Sequence, residues 1–417
     1  MPRFFYTLAV LALLPWAFLH LLWRARRQPE YLRHWGERLG HYRPQPASKV
    51  IWIHAVSVGE TRAAQPLVVA LSERHPDCRI VFTHMTPTGR ETSTALFGQD
   101  VERVYLPYDT PWAVARFLAR FRPSLGLIME TELWPNLIAA CHERKLPLLL
   151  VNARLSERSA RRYATFPSLA RQALQRLAAI AAQGEADAQR LRALGAAEVA
   201  VLGNLKFDIE PASAQLGLGQ EFRRRIGARP VFLCASTREG EEALILDAWP
   251  KHHPALLIIV PRHPQRFDEV SALVAAHEFT LQRRSDAAAV DSKTSVWLGD
   301  SMGEMFAYYA AADVAFVGGS LLDYGSQNLI EACAVGTPVL IGPSTFNFAE
   351  AARAAIAAGV AIQVGDAATL VRQALALLSD ADRRAAMADF GRAFAARHRG
   401  ATARTIALIE RFIPAGR

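Results

Sequence analysis

The first candidate for chemistry is an acid at the end of the stretch IHAVSVGE, residues 53–60. The pattern predicts an apolar strand that runs into a turn and a helix, with Glu60 at the start of that helix. Unpaired N–H groups and the positive end of the helix dipole favour an ionised carboxylate there, and such a group can accept a proton from a substrate hydroxyl. A helix cap is the commoner role for an acid in this place, so the spacing alone leaves both interpretations open.

Two more acids and a lysine follow other apolar runs. Glu130 and Glu132 flank a threonine in the motif METELWPN, and Glu130 continues the strand directly, so it is the one expected to point towards a ligand. Surface capping explains this pair equally well. Lys206, in the strand-end loop GNLKFD, can meet an anion or be exposed. Several arginines within 152–162 can bind phosphates or carboxylates bidentately, or form a solvated basic face.

Loops in the second half of the chain suit an anionic ligand. The motif STREGEE follows a strand and opens a helix, an arrangement that binds anions, and Arg262 follows another strand. Gly303-Glu304-Met305 starts a further helix. Glycine-rich turns at 318–320 and 325–332 can present backbone N–H groups to a phosphate, while Glu331 can accept from ribose hydroxyls.

Buried parallel strands must position these loops, because short apolar runs alternate with longer amphipathic ones. This alternation indicates the α/β class, with two doubly wound, Rossmann-like domains facing a cleft where ligands bind at strand carboxyl ends. We expect a first domain over 28–208, a linker and domain start over 209–227 with no strong period at 209–218, and a second domain over 228–417 whose terminal helices pack back on the first. The predicted strands are 50–56, 79–83, 124–129, 146–152, 178–182, 199–202, 230–235, 255–260, 295–298, 314–317 and 338–341, and the predicted helices of the first half include 61–74, 111–121, 134–144 and 156–177.

Residues 4–23 contain no Lys, Arg, Asp or Glu, and as a helix they would extend about 30 Å, the thickness of a hydrocarbon core. Aromatic residues at both ends suit the membrane interface. Arginines at 24, 26 and 27 against Arg3 alone place the rest of the chain in the cytoplasm. A membrane anchor over 1–27 is therefore predicted. Pro15 and His20 interrupt the run, so a helix that spans the bilayer and one that lies in the interface both remain open.

Composition narrows the classes of partner. The formal net charge of +9 favours anionic substrates or an anionic bilayer, whereas the scattered arginines and the lack of a known motif argue against nucleic acid. Neither G-x-G-x-x-G nor G-x-x-x-x-G-K-[ST] occurs, which argues against redox dinucleotide and P-loop chemistry. The four cysteines are far apart in apolar stretches, as expected for free thiols in a reducing compartment.

Ordered sequence blocks resemble those of the 3-deoxy-D-manno-octulosonic acid (Kdo) transferase family. The similarity extends from the apolar N-terminal segment to PSTFNF at 343–348 and covers most of the chain. The blocks are HAVSVGE, THMTPTGRE, LPYDTP, METELWPN, NARLSERS, GNLKFD, STREGEE, VPRHPQRF, GDSMGEM and DVAFVGGSL.

The resemblance implies a GT-B glycosyltransferase of the bacterial inner membrane, with its catalytic domains on the cytoplasmic side. It would transfer Kdo from CMP-Kdo to a lipid A precursor with inversion, and without a cofactor or a required metal. Glu60 would be the general base, and Glu130 and Lys206 would stabilise the transition state. The positions that match CMP-binding segments are Pro261, Arg262, Gly303, Glu304, Met305, Asn328, Leu329, Ile330 and Glu331.

One block departs from the family pattern. The family commonly has GGHNPLEA or GGHNLLEP, whereas this chain has GSQNLIEA at 325–332. Gln327 can still donate a hydrogen bond but cannot carry a charge, so a role for an imidazole there is in doubt. The alternatives are another GT-B transferase or a nucleotide-sugar epimerase, and a catalytically silent membrane-bound module that binds a nucleotide sugar. The acids at 60 and 130 argue against the silent module.

Overall fold

The structure is a computed structural model that describes residues 2–26, 28–43, 48–208 and 210–413. It divides into two compact units: unit 1 comprises residues 1–209 and 399–417, and unit 2 comprises residues 210–398. Each unit is built on a parallel sheet, which confirms the predicted α/β class with two Rossmann-like domains. The helices and strands are, in chain order, α1 (Pro2–Ala25), β1 (Lys49–His54), α2 (Val58–Ala63), α3 (Gln65–Arg74), β2 (Cys78–His84), α4 (Pro87–Phe97), β3 (Val101–Tyr105), α5 (Pro111–Phe121), β4 (Leu125–Met129), α6 (Pro135–Glu143), β5 (Leu148–Ala153), α7 (Glu157–Ala164), α8 (Pro167–Leu174), β6 (Ala179–Ala182), α9 (Glu185–Ala193), β7 (Val199–Val201), α10 (Ser213–Ile226), β8 (Val231–Thr237), α11 (Glu241–Ala248), β9 (Leu256–Pro261), α12 (Phe267–Ala276), β10 (Leu281–Arg283), β11 (Val296–Leu298), α13 (Met305–Ala311), β12 (Val314–Val317), α14 (Ile330–Val335), β13 (Val339–Ile341), α15 (Ala349–Ala357), β14 (Ala361–Gln363), α16 (Ala367–Ser379), α17 (Ala381–His398) and α18 (Ala401–Glu410).

The strand order of unit 1 is β3-β2-β1-β4-β5-β6-β7, and that of unit 2 is β10-β11-β9-β8-β12-β13-β14. In each sheet the earlier strands are added on one side of the first strand and the later strands on its other side. This change of side lies between β1 and β4 in unit 1 and between β8 and β12 in unit 2. Ligands of open α/β sheets bind at such a switch point, outside the carboxyl ends of the strands. The loops after these four strands are therefore where each site should be sought.

Both faces of the unit 1 sheet are covered, which explains its continuous apolar strands. Val50 and Trp52 of β1 lie in one hydrophobic cluster, and Ile51 and Ile53 lie in another on the opposite face. Successive side chains of a strand point to opposite faces, so a strand covered on both sides needs apolar residues throughout. The second cluster also contains Ile406 and its neighbours from α18, which belongs to unit 1.

Proline divides two helices that the sequence analysis predicts as continuous. The predicted helix 61–74 is α2 followed by α3, whose first turn contains Pro66, and the predicted helix 156–177 is α7 followed by α8, which begins at Pro167. A proline lacks the backbone N–H and fits the first turn of a helix better than its interior. Each predicted helix is therefore two helices, and predicting a single continuous helix was wrong in both places.

The segment 209–218 is not an irregular linker as predicted, because α10 begins at Ser213. A glycine of this helix allows close packing against a neighbouring helix. A Cβ at Gly219 would lie 2.7 Å from the Cβ of Ala310, a residue of α13. Phe222, three residues later, packs its ring edge against Trp297 at a centroid distance of 5.2 Å. This packing stabilises a helix whose sequence has no strong apolar period.

One stripe of the surface of helix α1 contacts the rest of unit 1. Near its start, Arg3 Nη1 donates to Glu143 Oε1 at 2.7 Å and Tyr6 Oη donates to Asp109 Oδ2 at 2.9 Å. Towards its other end, the Phe18 ring contacts Tyr108 edge-on at 5.7 Å. The opposite stripe is exposed and apolar; it includes Phe4, Phe5, Leu8, Leu11, Leu13, Trp16, Leu19, Leu22 and Trp23. The helix is long and apolar enough to cross a membrane, by length and composition.

Candidate active site

Two predicted acids meet at the switch point of unit 1. Glu60 lies in α2, just after β1, and Glu130 follows β4, the strand that pairs with β1. Their charges interact, because the Glu130 carboxylate raises the pKa of Glu60. The topology of the sheet thus joins residues that are 70 positions apart in the sequence. Carboxylates this close affect each other's protonation, and such pairs are a common feature of acid–base sites.

Glu60 lies in the first turn of α2 and is nearly buried, with 9% of its surface exposed. Its Oε2 accepts from the backbone N–H of Val56 at 2.7 Å, and its Oε1 accepts from the Ser57 hydroxyl at 2.9 Å. Ser57 caps α2 by accepting from the N–H of Glu60. The carboxylate of Glu60 thus supports the turn before the helix, and the cap itself is Ser57.

The ionisation of Glu60 differs from the expectation. Burial, followed by the charge of Glu130, raises the pKa of Glu60 to about 8, although the Val56 N–H and the Ser57 hydroxyl lower it. Helix-start geometry alone favours the ionised form, whereas burial and Glu130 favour the protonated form. Desolvation and a second carboxylate outweigh the N–H donors of a single short helix. A carboxyl with a pKa near 8 can both take and release a proton at neutral pH.

Lys206 is the cation of this site. Its Nζ donates to Glu130 Oε1 at 3.1 Å, and both side chains are mostly buried, with 12% and 17% of their surfaces exposed. Asn152 brings the lysine to the strand ends, because its Oδ1 accepts from the N–H of Leu205 at 3.0 Å. The loop of Lys206 is thus tied to the end of β5.

Backbone strain marks the same strand ends. Glu130 has a φ of 57° and Asn152 a φ of 52°, both in the left-handed region that favours glycine. Each such residue costs on the order of 1 kcal/mol and is kept where the surroundings hold it in place. Glu132 lies nearby, and burial and then Glu130 raise its pKa. Unit 1 therefore presents three acids around one lysine.

Unit 2 presents guanidiniums at the corresponding edge. Arg262, just after β9, donates from Nε to Gln327 Oε1 at 3.2 Å. Arg238, after β8, stacks over the Tyr324 ring, with its Cζ 4.5 Å from the centroid. Burial, and then the charges of Arg238, Arg262 and Arg266, lower the pKa of His263. These residues create a positive field at the ends of β8 and β9, suited to a phosphate.

The predicted phosphate cradle of unit 2 is largely occupied by a side chain of the chain itself. Glu241, at the start of α11, is fully buried and accepts from the backbone N–H groups of Gly319 at 2.6 Å, Leu321 at 3.0 Å and Arg238 at 2.9 Å. The turn at 318–320 and the start of α11 were predicted to bind an anion through these groups, and for these donors the prediction was wrong. Sequence spacing does not show that the anion is an internal carboxylate.

Gly318 has a separate role at the unit 2 switch point. A Cβ there would lie 2.5 Å from the backbone oxygen of Ser236, so only glycine lets β12 leave the sheet this close to β8. Ser236 itself has a φ of 54°, and the β8–β9 register shifts beside it. The close approach places the two strand-end loops side by side.

The remaining predicted donor-site residues lie on two helix starts. Glu304, before α13, accepts from the Ser301 hydroxyl at 2.6 Å and pairs with Arg284 Nη2 at 3.1 Å. Asn328, before α14, accepts from the N–H of Ile330 at 3.0 Å and donates from Nδ2 to Glu331 Oε1 at 3.1 Å. Pro261 ends β9 and so fixes the direction of Arg262. Gly303 and Met305 flank Glu304, and Leu329 is buried.

Three residues of these sites were not selected from the sequence: Glu132, Asn152 and Arg238. Each was visible in a strand-end block, but nothing in the spacing distinguished it from its neighbours. The distinguishing signals are three-dimensional, namely the field of Glu130 on Glu132, the bond from Leu205 to Asn152 and the Tyr324 ring under Arg238.

Comparison with known proteins links both units to sugar transfer. The family profile described as "3-Deoxy-D-manno-octulosonic-acid transferase (kdotransferase)" matches residues 33–209, and the profile described as "Glycosyl transferases group 1" matches residues 245–394. A 3-deoxy-D-manno-octulosonic acid transferase of Bordetella pertussis is 46% identical over 98% of this chain and 99% of its own length. One from Haemophilus influenzae is 36% identical over 99% of each chain. A solved UDP-GlcNAc 2-epimerase from Neisseria meningitidis has a TM-score of 0.61 at 17% identity and covers 87% of this chain and 100% of its own, which shows a shared fold.

Proposed function

The chain belongs to the 3-deoxy-D-manno-octulosonic acid (Kdo) transferase family and is a glycosyltransferase, and from that premise we propose that it moves Kdo from CMP-Kdo to a lipid A precursor, lipid IVA. The observation that carries the proposal is the pair of sites on the two units. One is an acid cluster able to take a proton from a hydroxyl, and the other is a cluster of guanidiniums able to bind a phosphate. A transfer from a nucleotide-activated sugar needs both.

In this mechanism Glu60 is the general base. The acceptor hydroxyl gives its proton to the Glu60 carboxylate while the hydroxyl oxygen forms a bond to the anomeric carbon of Kdo. The bond from that carbon to the phosphate oxygen breaks at the same time, and CMP leaves with the electron pair. Attack on the face opposite the leaving group inverts the anomeric centre. With a pKa of about 8, Glu60 is ionised in roughly a tenth of molecules at pH 7, so its activity as a base increases with pH.

Glu130 and Lys206 adjust the charge beside the base. Their ion pair keeps a cation near the site, since Lys206 Nζ bonds to Glu130 Oε1. The lysine can stabilise negative charge that develops on the substrates, while Glu130 maintains the high pKa of Glu60. We assign both residues to transition-state stabilisation.

The donor is assigned to unit 2. Arg262, with Arg238 beside it, would bind the phosphate of CMP and stabilise its charge as it leaves. The helix starts at Gly303–Met305 and Asn328–Glu331 would contact the nucleoside, where the Asn328–Glu331 pair offers both a donor and an acceptor to ribose hydroxyls. Pro261 keeps the loop of Arg262 stiff.

The enzyme would act at the cytoplasmic side of the bacterial inner membrane, attached through α1. Contacts near both ends of α1 reach the same unit, at Glu143 and at Tyr108, which favours a helix lying in the interface over one that spans the bilayer. Its exposed stripe of Phe, Leu and Trp would enter the lipid surface, and the basic residues near 24–26 would face anionic headgroups.

A cross-link tests this orientation. In membranes, Arg3→Cys with Glu143→Cys should be joined by a short bifunctional thiol reagent, because the native side chains are 2.7 Å apart. The matched pair Phe4→Cys with Glu143→Cys should react much less, since Phe4 lies on the exposed stripe with 61% of its surface accessible. A spanning helix would carry residue 3 about 30 Å from unit 1, so failure of the first pair would contradict the in-plane arrangement.

Transfer itself is tested with the purified full chain, CMP-Kdo and a tetraacylated lipid A precursor. Mass spectrometry of the lipid should show the added mass of Kdo, and the number of additions would be read from the same spectrum. A wild-type protein that binds CMP but never modifies the lipid would contradict the proposed activity and support a silent binding module. Release of CMP without a lipid product would point to another acceptor.

A further inference from the structure

A groove of about 670 Å³ lies in unit 1 between α1 and the helices that follow β5. Its lining is almost entirely apolar and includes Phe5, Ala9, Leu133, Phe166 and Ala170, with Arg162 among the few polar residues. The volume is in the range of small-molecule sites, about 300–1,000 Å³. No residue that we assign to the reaction lines this groove.

The groove opens on the part of unit 1 that carries the exposed apolar residues. Phe5 on one wall and Phe166 on the other are 64% and 69% exposed. Phe5 also belongs to the apolar stripe of α1, so the groove is continuous with the surface proposed to enter the lipid. A large apolar surface of this kind marks a site for another apolar molecule.

Positive charge lies at the same place. Helix α7 has no buried residue, and its Arg158, Arg161 and Arg162 are exposed. Within the described residues none of these three arginines forms an ion pair with a carboxylate. Three unpaired guanidiniums beside an apolar groove are complementary to a molecule with hydrocarbon chains and anionic headgroup atoms.

The groove also reaches the loop that carries the acids. Leu133, which lines it, comes three residues after Glu130 in the same loop. Tyr163, another lining residue, donates from Oη to the backbone oxygen of Thr131 at 3.0 Å, so a wall of the groove is bonded directly to that loop. A molecule held in the groove would therefore contact the loop that carries Glu130.

We propose that this groove holds an acyl chain of the lipid acceptor and that the arginines of α7 bind the acceptor's anionic groups. The inference rests on the proposed function, because it assigns a subsite to the acceptor named there. It makes the chain length of the acceptor, and not only its sugar, a determinant of transfer. The groove and α1 are then two parts of one lipid-facing surface, the first for the substrate and the second for the bilayer.

Filling the groove tests the proposal. Ala9→Trp places a large side chain in the lining, and Ala12→Trp is the matched control, since Ala12 is exposed on the same helix but does not line the groove. For the tetraacylated acceptor, Ala9→Trp should raise KM by about tenfold or more, the effect of roughly two methylene groups no longer buried, whereas Ala12→Trp should match wild type. With the same acceptor stripped of its acyl chains, all three proteins should give equal kcat/KM.

A second variant removes a side chain from the other wall of the groove. Phe166→Ala shortens an exposed side chain, so it should fold normally and weaken only the acylated acceptor. The proposal is overturned if Ala9→Trp and Ala12→Trp behave alike on the acylated acceptor. It is also overturned if Ala9→Trp lowers activity equally on both acceptors, because the acyl chain would then play no part.

A readout without turnover separates this inference from the proposed activity. A lipid A precursor with a photoactivatable group at the end of one acyl chain should label peptides of the groove in wild type and in Ala12→Trp, and not in Ala9→Trp. Labelling of these peptides without transfer would support the groove and contradict the reaction. Transfer with labelling only elsewhere would support the reaction and contradict the groove.

Discussion

Each unit has a glutamate in the helix that follows its first strand, and the two acids differ in what surrounds them. Glu60, after β1, accepts from one backbone N–H and one hydroxyl and faces the carboxylate of Glu130. Glu241, after β8, accepts from three backbone N–H groups and holds together the loops after β8 and β12. Burial raises the pKa of both carboxyls, but only Glu60 has a like charge as the next cause. The same place in the same kind of sheet thus holds the proposed base in one unit and an acid that joins two loops in the other.

The comparison shows where the chemistry of this architecture resides. The parallel sheets, with similar switch points, place a site at the strand ends of each unit. The loop residues determine whether that site is acidic or basic. In unit 1 the acids lie near Lys206. In unit 2, Glu241 accepts hydrogen bonds from the backbone of the unit itself, and Arg238 and Arg262 lie at the edge of the sheet. Substitutions that exchange or remove these charges test whether the contrast is functional.

The largest effect is expected from Glu60→Gln. The amide still accepts from the Val56 N–H, so the fold should be kept, but it cannot take a proton, and kcat should fall by about 10²- to 10⁴-fold. Glu241→Gln is the matched control and should do the reverse: it should lower the free energy of unfolding by about 1–3 kcal/mol through a weakened buried acceptor, with a smaller loss of kcat. Rates of transfer and urea unfolding curves measure the two. Equal losses of kcat in both variants would contradict the proposed difference in role between Glu60 and Glu241.

The pH dependence of stability should also change in Glu60→Gln. Since the folded-state pKa of Glu60 is raised, the folded protein binds more protons than the unfolded chain between the ordinary range and about pH 8, and its stability falls as pH rises through that window. Glu60→Gln should remove this decline. An unchanged slope of unfolding free energy against pH would mean that Glu60 is not buried as described.

A smaller effect is expected at the basic edge. Arg262→Ala should weaken CMP binding by about 10- to 100-fold, because a charge-assisted hydrogen bond to a phosphate is worth about 1.5–3 kcal/mol. Arg262→Lys keeps the charge and should recover part of the loss. Calorimetric titration with CMP gives both affinities. Neither variant should change the affinity for the lipid acceptor. An equal change in acceptor affinity would contradict the assignment of donor and acceptor to different units.

Glu130→Gln should move the activity profile along the pH axis. Its carboxylate raises the pKa of Glu60, so its removal should lower that pKa, and the base limb of kcat/KM should shift to lower pH. Glu132→Gln should shift the limb in the same direction by less, because Glu130 is the larger of the two influences on Glu60. Transfer rates from pH 6 to pH 9.5 show the limb. A shift to higher pH in either variant would contradict the assigned coupling.

The sequence predicts the central strands of both sheets better than the edge strands. The central strands were predicted because burial on both faces requires continuous apolar runs. Strands β3, β10 and β14 were missed; each lies at the edge of its sheet, where polar residues such as Glu102, Arg103 and Gln282 are tolerated. Edge strands pair on one side only, and their sequences therefore carry a weaker pattern.

Long-range contacts set what the sequence leaves undetermined. Spacing located Glu60 and Glu130 at strand ends, but the raised pKa of Glu60 follows from burial in the folded chain and then from a neighbour 70 residues away. The apolar run of α1 predicted a lipid-facing helix, yet its contact with Glu143 lies 140 residues along the chain and cannot be read from composition. The resemblance to a family supplied the roles of these residues, and the geometry supplied their partners.

The smallest effect is expected from Gln327→His, which restores the residue common in the family block. Gln327 Oε1 accepts from Arg262 Nε, and a neutral imidazole nitrogen can do the same, so CMP affinity at pH 8 should change by less than about threefold. Below about pH 6.5 the imidazole is protonated and can no longer accept, so the affinity of this variant should fall relative to wild type. Gln327→Ala, which has no acceptor at any pH, should be weaker than wild type at both pH values. If Gln327→His and wild type lose affinity in parallel on acidification, the bond to Arg262 does not position the phosphate-binding guanidinium, and the basic edge of unit 2 depends on Arg238 instead.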